Sequence, residues 1–409
     1  MDNESAFCPS SVYDTIRDRT NVERCVVKFQ SNKDVLSQAV IFVTKLLTSK
    51  NTNPTLAGVR IDATDTGVTF ASFDHDVSTR TTIDGDVSDH GSVLVSGKLL
   101  ADIVTRLPGD TVSVSLHETK LIISSGTAKF NMSIMPLNEY PNLPEVPPTV
   151  GSFDGEQLAE AIAQVGVAAL KDDGQPAIMN ISVELSAENI SFTATDRYRI
   201  ASRDVKWTTT GISEPLQILV PARVLIEAGK MFQSEQTITM SLLSGGDREL
   251  VAISAGNRIV TSSLAKGSFP KVRGLLDEKG GGAAYAIVLS SDLIDATRRV
   301  SLVLERDGAI KYSFSKDGVL LETSAAETAS AQETVDAHLV GEDVSVWLKP
   351  RLVIDGVAGA HSEFVRLGFT PSSDPVKAGP VLFTAHSSKD SESIEQAYRY
   401  LMQPNLLNR

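Results

Sequence analysis

Cysteine is almost missing from this chain: Cys8 and Cys25 are the only two among 409 residues. Two thiols cannot build a disulfide framework and show no paired metal spacing, so a reducing, cytoplasmic setting is the expectation. Long apolar runs are missing too, and none reaches the roughly 18 residues of a membrane span. The opening stretch MDNESAF has neither the basic start nor the apolar middle of a signal peptide. Positive charge is in deficit, with 38 Lys and Arg against 51 Asp and Glu, a net charge of −13. That excludes a uniformly basic coat. It leaves room for a local basic lining, because the distribution of charge governs nucleic-acid contact more than its sum.

Catalytic signatures are equally scarce. VSGKLL resembles a phosphate loop only in part: Gly91 and Gly97 are separated by five residues rather than four, and Leu99 stands where Ser or Thr is required. The six histidines are scattered without metal-ligand spacing. FDHDVSTR, residues 73–80, could offer Asp74, His75 and Asp76 to a metal, but it reads better as a solvated strand end. No serine sits in a Gly-x-Ser-x-Gly elbow. No catalytic residue, metal ligand or cofactor is assigned.

What is present is a repeat. Leu36, Ala39, Val40, Val43, Leu46 and Leu47 mark one apolar helix face. The same offsets recur from Leu158 through Ala169 and from Leu293 through Leu304. Asn32, Asp154 and Ser290 stand upstream as N-caps, their oxygens able to take orphan backbone N–H groups. A second helix recurs as VSGKLLADIV, VPARVLIEAG and LKPRLVIDGV, starting at Val95, Val220 and Leu348. Between the helices, GVRIDATDTGVTFAS, ISVELSAENISFTA and IKYSFSKDGVLLET each read as a hairpin of alternating strands. The fold class expected is α+β: three repeated domains, each with two helices against antiparallel sheet. A proline-rich stretch (138–151) and the triple glycine within 278–286 punctuate them. The boundaries expected are an extension over 1–24, then domains at 25–145, 146–277 and 278–409.

Lys98, Arg223 and Arg351 occupy corresponding places near the start of the second helix in each unit. Lys45, Lys50, Lys171, Arg298 and Arg299 lie in or just after the first helices. Singly, each reads as a solvated helix face. Recurring together, they form a surface that would contact phosphates without reading bases. The stretch ATDRYRIA, 194–201, gathers an aspartate, two arginines and a tyrosine; alone it fits an acid–base cluster, a binding wall or a turn.

The triple repeat, AKFNMSIMPLNEYPNLP at the end of unit one, ATDRYRIA, GSFPKVRGLL and a terminal YLMQP resemble the bacterial sliding clamp, the beta subunit of DNA polymerase III. The resemblance covers about residues 26–407. VGVAALKDDGQP and ATDRYRIASRDVKW look closest to actinobacterial members. The resemblance implies a head-to-tail dimeric ring around duplex DNA, lined by helices and walled by sheets. It implies a DNA sliding clamp that performs no chemistry and tethers the replicative polymerase, with sequence-independent DNA, a second copy of itself, the polymerase alpha subunit, the clamp loader and other clamp-binding-motif proteins as partners. The resemblance puts DNA contact at Lys50 and Lys98, and the recurring cations read above add Lys171, Arg223, Arg298 and Arg351. Ring closure falls to Phe130 and Met132 of unit one and Ser301 and Leu302 of unit three, the serine departing from the usual apolar residue. A peptide pocket between units two and three is implied at Ile178, Thr195, Arg197, Tyr198, Arg199, Ile200, Pro270, Gly274, Leu275, Lys349, Leu352, Pro380, Leu401, Met402, Gln403, Pro404, Asn405, Leu406 and Leu407. Gly274, Gln403, Asn405 and Leu406 depart from the family pattern there. A specialised clamp with an altered pocket, such as one escaping an inhibitor, is the alternative. An enzyme centred on Asp196 to Arg199 is the reading from another class, without a nucleophile, metal pair or cofactor loop behind it.

Overall fold

The computed structural model describes residues 27–47, 53–171, 174–246, 248–279, 284–305, 308–323, 329–371, 379–388 and 395–405. The extension over 1–24, Lys50, Leu406 and Leu407 lie outside the described residues. The chain divides into two compact units, residues up to Asp74 with Arg80–Asn142, and His75–Thr79 with Leu143–Arg409.

In the first unit, α1 (Lys33–Thr44) and α2 (Gly97–Val104) pack side by side. Asn32 caps α1, its side-chain oxygen accepting from the N–H groups of Asp34 (2.8 Å) and Val35 (3.3 Å). Leu36, Ala39, Val40 and Val43 are buried, so the apolar stripe read from the sequence is the face that meets the sheet. The hairpin of Gly58–Thr64 with Gly67–Phe73 is extended by Gly91–Ser96. A meander of Thr111–His117, Lys120–Ser125 and Ala128–Met135 carries the first strand, Lys28–Asn32, on its edge. Tyr140, at the end of the unit, is 7% exposed; its hydroxyl accepts the Phe73 N–H at 2.6 Å.

The second unit holds the other two repeats. Its helices are α3 (Gly155–Gly166), α4 (Ala222–Phe232), α5 (Arg273–Lys279), α6 (Ser290–Val300) and α7 (Pro350–Gly359). Asp154 caps α3 through the Gln157 N–H at 3.0 Å. Ser290 does not cap α6: it is the first helical residue, Leu289 takes the cap place, and the buried Ser290 hydroxyl has no hydrogen-bond partner among the described residues. The Ser290 N–H donates to the Glu363 carbonyl at 2.8 Å, which satisfies the first of the N–H groups a helix start leaves open. α5 has no counterpart in the sequence reading; seven residues are too few for a helical periodicity to register.

One sheet dominates this unit. Nine strands run in the order Leu216–Pro221, Asn180–Leu185, Asn189–Thr195, Arg199–Lys206, Glu395–Met402, Val381–His386, Phe364–Phe369, Ala284–Leu289 and Ala337–Val340. The seam between the repeats is the antiparallel pair Arg199–Lys206 with Glu395–Met402, in register Ile200 to Leu401 and Ser202 to Arg399. The two repeats therefore share backbone hydrogen bonds rather than side chains alone.

Candidate functional site

At the end of that seam lies a cavity of about 160 Å³, enough for one or two side chains, lined by Gln175, Ile178, Thr195, Arg197, Arg199, Ile200, Pro270, Val272, Leu275, Leu401 and Gln403. Its floor follows from strand alternation. Ile200 and Leu401 face each other across the seam and form one apolar cluster with Leu276 and Leu382, with Val272 and Leu275 packed on top. α5 thus backs the floor: Leu276 anchors it, while Val272 and Leu275 turn toward the cavity. Ile178 comes from the opposite side, in a second cluster with Leu219 and Phe269.

The rim is the ATDRYRIA turn. Asp196 accepts from the N–H groups of Tyr198 and Arg199, both at 3.1 Å, and from Arg199 Nε at 2.9 Å. Thr195 Oγ1 donates to the Arg199 carbonyl at 2.7 Å and accepts the Arg197 N–H at 3.2 Å. These bonds hold Arg197 in the left-handed region, φ +79°. Asp196 is a turn-forming residue with both oxygens engaged, so it is not free to act as an acid or a base.

Arg199 is a fastener between the repeats. It is 5% exposed, and its Nη1 donates to Asp355 on α7 (2.6 Å) and to the Tyr400 hydroxyl (3.0 Å), while Nη2 reaches the Val167 carbonyl. Burial works against its charge, but the Tyr400 hydroxyl and the carboxylates of Asp355 and Asp196 outweigh that and raise its pKa above the ordinary arginine value. Burial also raises Tyr400, partly offset by the guanidinium, so its hydroxyl stays protonated and serves as an acceptor for Arg199 and a donor to the Leu352 carbonyl.

Behind the cavity runs a charged chain. Asp204 accepts from Arg273 Nη2 of α5 at 2.9 Å and from Arg399 Nη2 at 3.2 Å. Arg273 Nη1 also reaches Glu184 at 3.0 Å, and Arg399 Nη1 binds Asp277. α5 is therefore tied to strands of both repeats at once.

Several expected pocket residues take other places. Met402 is fully buried because it alternates with Leu401 and faces the opposite side of its strand. Pro380 is buried just before its strand, its carbonyl taken by the Thr370 N–H at 3.2 Å. Tyr198, 56% exposed, is not part of the cavity lining and lies under Lys349 Nζ, 5.6 Å from the ring centre. Leu352, half-buried on α7, is not part of the cavity lining, and Gly274 lies on the exposed face of α5, where a Cβ would meet only open space. Pro404 and Asn405 lead away toward Trp347, whose carbonyl accepts the Asn405 N–H at 2.8 Å. Gln175 and Val272 line the cavity although the sequence reading did not place them there. Polar Gln175 carries no periodic signal. Val272 stands two residues after Pro270 in GSFPKVRGLL, and that proximity was the signal available for it.

Of the interface expectations, Phe130 is 37% and Leu302 82% exposed, large apolar side chains open to solvent, and Ser301 is half-buried beside Leu302. Met132, by contrast, is 1% exposed and paired across to Leu121 within its own unit.

The basic residues show one regularity that the sequence only approximated. Lys98, Arg223 and Arg351 are each exposed and each the second residue of its helix, α2, α4 and α7. A cation in the first helical turn opposes the helix dipole. Three repeats carry this local mismatch at one position. Lys171 is exposed after α3, and Arg298 is exposed with Asp295 at 3.3 Å. A larger concavity of about 710 Å³ along α3 and α4 is bordered by Asp154, Glu156 and Glu160, which makes it a poor place for phosphate. Among the described residues, no cluster of His, Cys, Asp or Glu could hold a metal, and no helix is long and apolar enough to cross a membrane.

Family models for the N-terminal, central and C-terminal domains of the DNA polymerase III beta subunit match residues 27–144, 152–271 and 282–383. The beta sliding clamp of Streptomyces coelicolor is 32% identical over 379 residues, covering 92% of this chain and 99% of that protein. The beta sliding clamp homolog GriR of Streptomyces muensis is 32% identical over 383 residues, covering 94% and 100%. The crystal structure of the Bacillus subtilis DNA polymerase sliding clamp superposes with a TM-score of 0.84 at 23% identity, over 93% of this chain and 100% of that one. On the three consecutive domain matches and the near-full-length relatives, the chain belongs to the DNA polymerase III beta subunit family, the bacterial sliding clamps.

Proposed function

We infer that this protein works as a processivity clamp: two copies close head to tail around duplex DNA, and the cavity at the seam captures short peptides from the proteins it tethers. The DNA carries no sequence requirement, since helix-borne Lys and Arg meet phosphates alone. The replicative polymerase alpha subunit and the clamp loader are the principal peptide-bearing partners in this reading, and the protein acts in the cytoplasm. The observation that carries it is the basic second residue of α2, α4 and α7, repeated in an otherwise acidic chain of net charge −13. An acidic exterior repels DNA while local cations attract it without gripping, and a topological link then keeps the tethered polymerase at high effective concentration. No bond is made or broken by the clamp.

The test is retention. Sedimentation should give a dimer, and protein loaded by a clamp loader with ATP should stay on nicked circular DNA through a high-salt wash while sliding off linear DNA. Equal retention on both would remove the ring from the reading. The specialised-clamp alternative is not favoured by identity, since the Streptomyces coelicolor clamp and GriR both stand at 32%.

A further inference from the structure

We propose that Arg197 selects ligands carrying a carboxylate next to their apolar anchor, so that the cavity at the seam takes acidic-apolar peptides in preference to neutral ones. The proposal rests on the peptide-capture reading and adds to it the chemistry of the ligand.

Two arginines line the cavity, and their situations are opposite. Arg199 is neutralised, with its guanidinium shared between Asp196 and Asp355. Arg197 is exposed, and among the described residues its side chain has no ion-pair or hydrogen-bond partner; only its backbone N–H is used, by Thr195. The nearest carboxylate in sequence, Asp196, cannot serve it, because both oxygens are held by the Tyr198 and Arg199 N–H groups and by Arg199 Nε. The remaining lining is neutral: Ile178, Ile200, Val272, Leu275 and Leu401 supply the apolar surface, and Gln175 and Gln403 the polar edge. One uncompensated positive charge therefore stands beside an apolar hole the size of a side chain. In an acidic protein this local sign is what an incoming anion would meet at close range.

The backbone points the same way. At φ +79°, Arg197 occupies a conformation that glycine or asparagine would adopt with less strain. Strained residues of this sort concentrate where a side chain must be presented to a ligand. Here the conformation is imposed by the Asp196 and Thr195 hydrogen bonds, which fix the arginine at the rim rather than leaving it on a loose loop. A planar guanidinium so held can take a carboxylate through two parallel N–H bonds.

The carboxylate could be an Asp or Glu side chain or a peptide's own C-terminus, and the experiment separates the two. Fluorescein-labelled peptides with Leu and Phe anchors are titrated against the full chain by anisotropy in four forms, Asp or Asn beside the anchor, each as C-terminal amide or free acid. The expected result is tighter binding of the Asp amide than the Asn amide by about threefold to fivefold at low salt, the range of a well-placed exposed ion pair. That ratio should collapse toward one in Arg197→Gln and at high ionic strength. A free-acid Asn peptide binding as well as the Asp amide would place the carboxylate at the C-terminus. Equal binding of all four forms overturns the selection by Arg197 while leaving the pocket standing. Failure of every form to bind overturns the pocket itself, and the selection with it.

Discussion

Arg199 holds a full charge at 5% exposure, and the four groups around it explain why that is tolerable: Asp196, Asp355, the Tyr400 hydroxyl and the Val167 carbonyl. Removing it strands those partners. Arg199→Ala is expected to lower stability by about 3 kcal/mol, read as a shift in the urea unfolding midpoint, with peptide affinity falling as the seam loosens. Tyr140 offers a pH-dependent counterpart in the first unit. Burial, the largest influence, pushes its pKa from 10.0 up to about 12, against a lowering by its bond to the Phe73 N–H. The unfolded chain releases this proton near 10 and the folded chain holds it to about 12, so the contribution is complete below pH 10 and lost as pH rises through 12. Denaturant titrations of wild type across that window should show a fall of about 2 kcal/mol from this group, and Tyr140→Phe should lack that component while starting less stable.

Among the elements, α5 matters more than its seven residues promise, because it is pinned to both repeats. Leu276 holds it to the apolar seam and Asp204 holds it through Arg273 while also holding Arg399. Asp204→Asn keeps the shape and removes the charge that bridges the two arginines. Amide exchange in α5 should then quicken and peptide affinity drop about threefold, from exchange mass spectrometry and anisotropy together; unchanged exchange would mean that Leu276 alone positions the helix. α7 meets its sheet at close range. A methyl added at Gly356 would lie 2.7 Å from the Tyr400 ring, whose hydroxyl serves both Arg199 and the Leu352 carbonyl. Gly356→Ala should therefore destabilise by about 1–3 kcal/mol despite improved helix propensity, as thermal or urea unfolding would show.

For the molecule as a whole, charge placement outweighs charge total. Lys98→Ala, Arg223→Ala and Arg351→Ala in combination should flatten the dependence of log affinity on log salt by about 0.9 for each phosphate that is no longer neutralised. Each helix should at the same time gain a few tenths of a kcal/mol from relief of its dipole mismatch. A salt slope equal to wild type would take these three residues out of DNA contact.

The three repeats were legible in the sequence because a helix face and a strand each impose a period, and Leu36, Leu158 and Leu293 with their offsets record it. The N-caps at Asn32 and Asp154 were legible for the same local reason. Ser290 was not: the helix starts one residue earlier than a Ser290 cap requires, with the Ser290 N–H held by the carbonyl of Glu363, far along the chain. The apolar lining of the cavity could be approached through family resemblance, yet which residues turn into it depended on the alternation of Leu401 and Met402 along one strand in one register. By itself the sequence determined the repeated units, the acidic balance and the recurring cations, all properties set by residue order over a few turns. Only the tertiary structure decided that Arg199 is spent and Arg197 is not: a side chain's freedom depends on which distant carboxylates the fold brings within about 3 Å, and no local pattern encodes that distance.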